Sequence, residues 1–393
     1  MFVAITNTPR DYAWGSSGAI SELLGAPATD AVEAELWLGA HHGSPSRILD
    51  PTATDGAGDL AQWIAADPAT ATGDEDAATL PFLLKVLAAR SPLSLQAHPT
   101  PEQAAAGFAR EDAAGIPIDA AHRNYKDPYA KPELILAVSE EFGALCGFRP
   151  AAESRRAIAR LLELAEQSEP DARGPLTDWL ERLSGDDSIQ SVFEWLISRG
   201  EGVDELVAAV ARVVATGPGF ATQRTIAETY PGDPGLVISL LLHEVTLAKG
   251  EALFLPAGNI HAYLHGVGIE LMSSSDNVLR GGLTPKHVDV AELLSVLDFR
   301  PLPAPYLVPE VPVPDVRVFH PEGTDFELVE FEASGLLPLD GPAIALCLEG
   351  SFELTGGLGS AMLSRGDVLY ITPDEGDLAV GGTGQLVVAT VVG

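Results

Sequence analysis

The chain has 393 residues, 46% of them apolar, enough for two or three domains with well-buried cores and too many for a disordered polymer. A formal net charge of −33 argues against nucleic acid and anionic membrane surfaces as partners. No apolar run reaches the roughly 18–20 residues of a membrane span, no secretory pattern opens the chain, and two distant cysteines, Cys146 and Cys347, fit a reducing cytoplasm, where the protein is expected to act.

Residues 1–149 alternate short apolar runs with Gly, Pro and Asp punctuation, which predicts a β unit with loops. Candidate strands are Glu35–Leu38, Phe82–Leu87, Leu93–Ala97 and Leu134–Val138. One helix is expected among them, because Thr100-Pro101-Glu102-Gln103 reads as a capping box with proline at the first helical position. From Ala151 to Gly217 the period changes. AESRRAIARLLELAEQ, PLTDWLERL, SVFEWLIS and VDELVAAVARVVAT repeat apolar residues every three or four positions, predicting a helical insert with Trp179 and Trp195 in its core. Strands are expected to return from Leu236, with Asp289 and Glu292 capping a short helix over AELLSVL. Six prolines from Pro301 to Pro314 predict an extended linker or sheet edge, and the remainder reads as strands with glycine-rich turns. The division expected is 1–149 and 232–298 as two parts of one β domain, 150–231 as the helical insert and 299–393 as a C-terminal β domain.

An internal echo sharpens the fold. Lys249-Gly250-Glu251 opens a β-run that closes on Pro256, and Arg365-Gly366-Asp367 opens another that closes on Pro373. Strands of cupin-type jelly rolls are often written this way, so the predicted class is mainly β with a helical insert: a catalytic cupin-like barrel followed by a C-terminal one. The first copy runs on into GNIHAY; the second continues without histidine and reads as a barrel lacking ligands.

Period two places Ser94, Gln96 and His98 on one face of LSLQAHP, Lys131 and Glu133 together in KPELIL, and His261, Tyr263 and His265 together in NIHAYLHG. A polar strand face is usually no more than a solvated face. Three of them carrying imidazole and carboxylate, in a chain with nine histidines, point instead to a metal. Two imidazoles, a carboxylate and an amide oxygen suit a borderline divalent ion, zinc first, with manganese, iron or cobalt open. The chain has only five lysines (Lys85, Lys126, Lys131, Lys249 and Lys286), and four fall in or beside these segments, focusing positive potential in an acidic protein. A metal beside an anion site is the chemistry of a phosphorylated substrate.

The motifs AWGS, AELWLGAHHGSPS, PFLLKVL, SLQAHP, KPE with its β-run, PAGNIHAYLHG and SDNVLRGGLTPKHVD together resemble the type I mannose-6-phosphate isomerase (phosphomannose isomerase) family. They cover nearly all of the non-helical part of the first 300 residues. The resemblance implies a cupin-superfamily enzyme that holds one zinc ion per chain through Gln96, His98, Glu133 and His261 and takes a small sugar phosphate as its partner. It implies Arg280 as the active-site arginine and places Ser94 and Lys286 at the substrate phosphate. Lys85, Lys131, Glu270 and Asp276 match pocket residues with proton-transfer or orienting roles. The expected reaction interconverts mannose 6-phosphate and fructose 6-phosphate through an enediol, with Glu270 as base, or else Lys131 or Lys85. A monomer is expected. One departure stands out. Family members read Asn-His before Lys-Pro-Glu, whereas this chain has Tyr129-Ala130, so a mechanism resting on that histidine cannot operate; His122 is the nearest alternative. Two other readings remain open: an iron-dependent cupin dioxygenase on His98, Glu133 and His261, and a non-catalytic sugar-phosphate-binding cupin.

Overall fold

The computed structural model describes residues 1–27 and 29–392. Two ten-stranded sheets carry the molecule, with helices gathered mainly between residues 151 and 241. The class is therefore mainly β with a helical insert, as expected.

The first sheet is organised by one strand, His261–Ser273. Its second half, from Gly266, pairs with Phe82–Ala89 on one side and with Glu133–Ala137 on the other. Its first half pairs instead with Glu141–Phe148, and His261 lies opposite Gln96. A register shift between Tyr263 and His265 separates the halves, followed by Gly266 at φ 110°. That is a β-bulge, which bends the strand and re-aims its side chains. Glycine is required at the bend, since a Cβ at Gly266 would lie 2.7 Å from the Glu141 carbonyl oxygen.

Several expectations need correction. Among the described residues, 1–149 hold three short α-helices besides the capped one: Ala19–Leu23, Leu60–Ala66 and Pro68–Thr72. Each spans at most two turns, too short for helical periodicity to register, although Asp59 and Asp67 cap the last two. The Pro101–Ala113 helix carries the expected capping box at Thr100. Helices continue beyond Gly217 through Ala221–Thr229, and the run at 236–242 begins as Gly235–Ile238 and a 3-10 turn, so the strand starts only at Leu242. A short apolar run does not distinguish buried helix from buried strand.

Trp179 is buried in the helical core, and Trp195 is half-buried with the Arg182 guanidinium 4.4 Å from its ring centre. That core does not stop at the helices. Leu161, Phe193 and Val210 belong to one apolar cluster with Leu95, Ala97, Ile260 and Leu279, the buried neighbours of the site strands.

The two echoed turns have one architecture. Gly250 and Gly366 both take positive φ, 86° and 91°. Each is followed by a carboxylate that accepts from the backbone N–H three residues upstream, Glu251 from Ala248 and Asp367 from Ser364, both at Oε2 or Oδ2. The strands that follow are Ala252–Leu255 and Val368–Ile371, at equal offsets from their glycines. The proline-rich segment contributes Tyr306–Leu307 to the first sheet and Glu310–Val313 to the edge of the second. Phe2–Thr6 and Arg47–Ile48 cross into the second sheet, so the N-terminal segment serves both.

Candidate active site

Three strands converge on one point. His98, Glu133 and His261 are fully buried, and their ligand-type atoms lie within 4.8 Å of one another. Glu133 Oε1 is 3.3 Å from His98 Nε2, and Oε2 is 3.3 Å from His261 Nε2. Both rings are oriented from behind. The His98 Nδ1–H donates to the Asn277 carbonyl at 2.7 Å, and the His261 Nδ1–H to the Asn259 carbonyl at 3.0 Å. Each Nε2 is thereby left as a lone pair aimed at the carboxylate.

Two lone pairs facing an anion in a dry pocket repel unless a cation stands between them. His98 Nε2 and Glu133 Oε2 are buried without a hydrogen-bond partner, which is the mark of a group meant for something else. Burial pushes the His98 imidazole down to about 4, so it is neutral at pH 7, as a ligand must be. Burial opposes ionisation of Glu133, but the positive charge of Lys131 leads the influences that outweigh it and hold the carboxyl well below its usual range. Lys131 Nζ lies 2.8 Å from Glu133 Oε1. The donor set fits a divalent metal. Gln96 is the fourth expected member; its amide nitrogen faces His261 Nε2 at 3.2 Å, and rotation of the amide presents the oxygen.

Above this centre opens a cavity of about 660 Å³. Gln96 and Glu133 reach its wall, together with Ser94, Lys85, Lys131, Glu270, Asp276, Arg280 and Lys286. Every candidate site residue is thus in the cavity or directly beneath it, and three of the five lysines line it. The strand bulge explains the convergence of His261 with Glu270. Alternation alone puts His265 with His261, yet His265 is exposed, and past the bulge Glu270 and Met272 face the cavity.

The cations fall into two groups. Lys85 Nζ is 2.9 Å from Glu270 Oε2 and 3.9 Å from Glu35 Oε1, with the Trp37 ring centre 5.0 Å away. Burial works against the Lys85 ammonium, but Glu270, Glu35 and Glu133 outweigh it and keep it charged. Burial lifts the Glu270 carboxyl above its ordinary value, with Lys85 pulling the other way. Arg280 and Lys286 form the second group. Burial alone lowers the Arg280 value; burial and then the Arg280 charge lower that of Lys286. Among the described residues neither cation has a carboxylate partner, and Asp276 does not pair with Arg280. Asp276 instead accepts from His41 Nε2 at 3.2 Å, with His42 Nε2 at 3.8 Å. His122 is exposed and outside the cavity wall, so the imidazoles nearest Asp276 are His41 and His42.

Sequence reading missed several contributors. Asn277 and Asn259 orient the histidines through backbone carbonyls, which no side-chain pattern reports. Trp37 and Glu35 line the cavity from Glu35–Leu38, where alternation within ELWL was the available signal. Thr229 and Tyr230 reach it from the end of the helical segment.

The family model "Phosphomannose isomerase type I, catalytic domain" matches residues 2–151. Mannose-6-phosphate isomerase of Escherichia coli (strain K12) is 38% identical over 414 residues, covering 97% of this chain and 97% of that one. The Homo sapiens mannose-6-phosphate isomerase is 32% identical, with 93% of this chain and 92% of its own covered. Among solved structures, a zinc-bound mannose 6-phosphate isomerase superposes with a TM-score of 0.86 at 35% identity, covering 99% of both chains.

Proposed function

This chain belongs to the type I mannose-6-phosphate isomerase family, and we propose that it interconverts mannose 6-phosphate and fructose 6-phosphate at the cavity over His98, Glu133 and His261. The observation that carries the reading is one cavity with two unmet needs. Buried lone pairs await a cation, while Arg280, opposite Gln96 in the sheet, and Lys286 line the same cavity and have no carboxylate partner among the described residues. A phosphorylated sugar reaching the metal centre satisfies both.

Gln96, His98, Glu133 and His261 would hold one zinc ion, which when bound supplies Lewis acidity toward the sugar oxygens. Lys286 and Ser94 bind the phosphate, and that remote binding orients the reacting carbons. Arg280 stabilises the oxyanion of the enediol. Glu270 takes the proton from one carbon and returns it to the next; its lifted carboxyl is closer to neutrality than an ordinary glutamate, as a base needs. Lys85 and Lys131 keep the surrounding carboxylates compensated, and Asp276, held by His41, orients the sugar.

An iron dioxygenase would leave Arg280 and Lys286 without a task, and a binding module would leave Glu270 and Lys85 without one. For organisation, the reading keeps 1–149 and 232–298 around a helical insert at 150–231, followed by 299–393; the run of helices from Ala151 to Thr229 supports it. It also takes the protein as a cytoplasmic monomer, in keeping with two free, buried cysteines. Among the described residues no helix is long and apolar enough to cross a membrane.

The test is a coupled assay of fructose 6-phosphate formation before chelation, after it, and after zinc add-back. Activity that vanishes and returns supports the reading. Metal-replete protein that binds mannose 6-phosphate without turnover would establish the binding module instead.

A further inference from the structure

The turn that leaves the Ala221–Thr229 helix touches the cavity through Tyr230 and is hydrogen-bonded to two of the segments that wall it. It runs Tyr230-Pro231-Gly232-Asp233, closed by the Asp233 N–H donating to the Tyr230 carbonyl at 3.1 Å, with Gly232 at φ 77°. At one end the Tyr230 hydroxyl donates to the Pro92 carbonyl at 2.7 Å, two residues before Ser94. At the other, Asp233 Oδ1 accepts from the Gly235 N–H at 2.7 Å and the Leu283 N–H at 2.9 Å, while Oδ2 accepts from the Thr284 N–H at 3.4 Å.

The segment so gripped, which begins in the strand Leu279–Gly282, carries two cations of the cavity that have no carboxylate partner among the described residues. Arg280 lies three residues before Leu283 and Lys286 three after it. Leu283 has φ 53°, a left-handed conformation that a leucine keeps only when its surroundings impose it. Gly282, at φ 119°, would bring a Cβ within 3.1 Å of Asp233 Oδ1, and a Cβ on Gly235 would lie 2.5 Å from the Leu283 side chain. The two loops interlock. Mutual repulsion of Arg280 and Lys286 works to spread the loop before any anion arrives. The Asp233 carboxylate resists that by binding the backbone amides of Gly235, Leu283 and Thr284.

We propose that the Tyr230–Asp233 turn sets the gap between Ser94 and the segment from Arg280 to Lys286, and with it the affinity for the phosphate end of the substrate. Asp233 is a positioning residue, acting through Leu283 and Thr284. The proposal rests on the isomerase reading above and adds the element that makes its phosphate site.

The experiment uses full-length, zinc-loaded protein with Asp233→Asn and, separately, Tyr230→Phe, which removes one hydroxyl and leaves the ring packed. KM and kcat for mannose 6-phosphate are measured with the inhibition constant of inorganic phosphate. Losing these bonds is expected to raise KM and the phosphate inhibition constant together, about tenfold for Asp233→Asn and about threefold for Tyr230→Phe, with kcat within about threefold. A fall in kcat with KM and phosphate inhibition unchanged overturns the proposal, as do folded variants indistinguishable from the parent. Should Asp233→Asn fail to fold, Tyr230→Phe decides. If the parent protein makes no fructose 6-phosphate, the isomerase reading fails instead, and calorimetric titration of inorganic phosphate into parent and variants still tests the turn.

Discussion

Glu133 and Glu270 are buried carboxylates on neighbouring strands, yet their surroundings shift their ionisation in opposite directions. Glu133 meets the Lys131 ammonium at 2.8 Å and is held ionised, as a metal ligand must be. Glu270 meets one lysine in a dry site, and burial lifts it. A base works only when ionised, so activity should rise with pH through the Glu270 value, giving an acid limb in kcat/KM above the ordinary 4.5. Glu270→Gln should lower kcat about a hundredfold or more with zinc retained. An unchanged acid limb in any residual activity would assign the base elsewhere. Asp276 adds no limb there. Burial raises it, but the His41 hydrogen bond and charge outweigh that and bring it below 3.8. With a folded value below the unfolded one, its stabilising contribution is present above 3.8 and fades as pH falls through the lowered value. At the metal end, His261→Ala removes one imidazole and uncovers Glu133 Oε2, so tight zinc binding should be lost. Stoichiometric zinc in the purified variant, read by atomic absorption, would refute the ligand assignment.

At the scale of the element, the site depends on one irregular strand. His261 and Glu270 are nine residues apart, an odd spacing that a regular strand would send to opposite faces. The shift between Tyr263 and His265 resets the alternation, and Gly266 permits it. Gly266→Ala combines an unfavourable φ with a clash against the Glu141 carbonyl, and should cost about 1–3 kcal/mol in urea unfolding. A variant as stable as the parent would mean the bend is set elsewhere. The same bulge marks how far sequence reading carried. Where a strand is short and straight, as at Leu95–Ala97, alternation alone assigned Gln96 to the site face. Across the bulge it grouped His265 with His261, and Glu270 entered only through motif resemblance. The Thr100 capping box was legible because its partners lie three residues apart. The Asp233 grip on Leu283 was not, since its two halves are fifty residues apart and YPGDPG announces only a turn.

For the whole molecule the question is whether the ligand-free C-terminal sheet is an independent appendage. Every metal-site residue lies before position 300, so cutting the chain after residue 314 removes no chemistry. The packing argues otherwise. Leu36, Leu84, Leu134 and Ile269 of the site sheet share one apolar cluster with Phe319, Phe326, Ile344 and Val387 of the other. The crossing is tied at several points. Phe2–Thr6 pairs with Val368–Ile371, the Met1 amine meets Asp374 at 2.8 Å, and Arg317 donates to the Gly250 carbonyl at 2.9 Å. Arg365, in the second echoed turn, donates to the Glu22 and Leu23 carbonyls at the end of the first helix. Loss of residues 315–393 would expose that cluster to water and strip Phe2–Thr6 of a pairing partner, leaving an unprotected edge. The truncated chain should therefore be recovered aggregated or without a cooperative thermal transition, while the full chain melts its two sheets in one step. A soluble 1–314 fragment with a cooperative melt and stoichiometric zinc would show that the shared cluster is dispensable, and that the second sheet is a passenger on a self-sufficient metal domain.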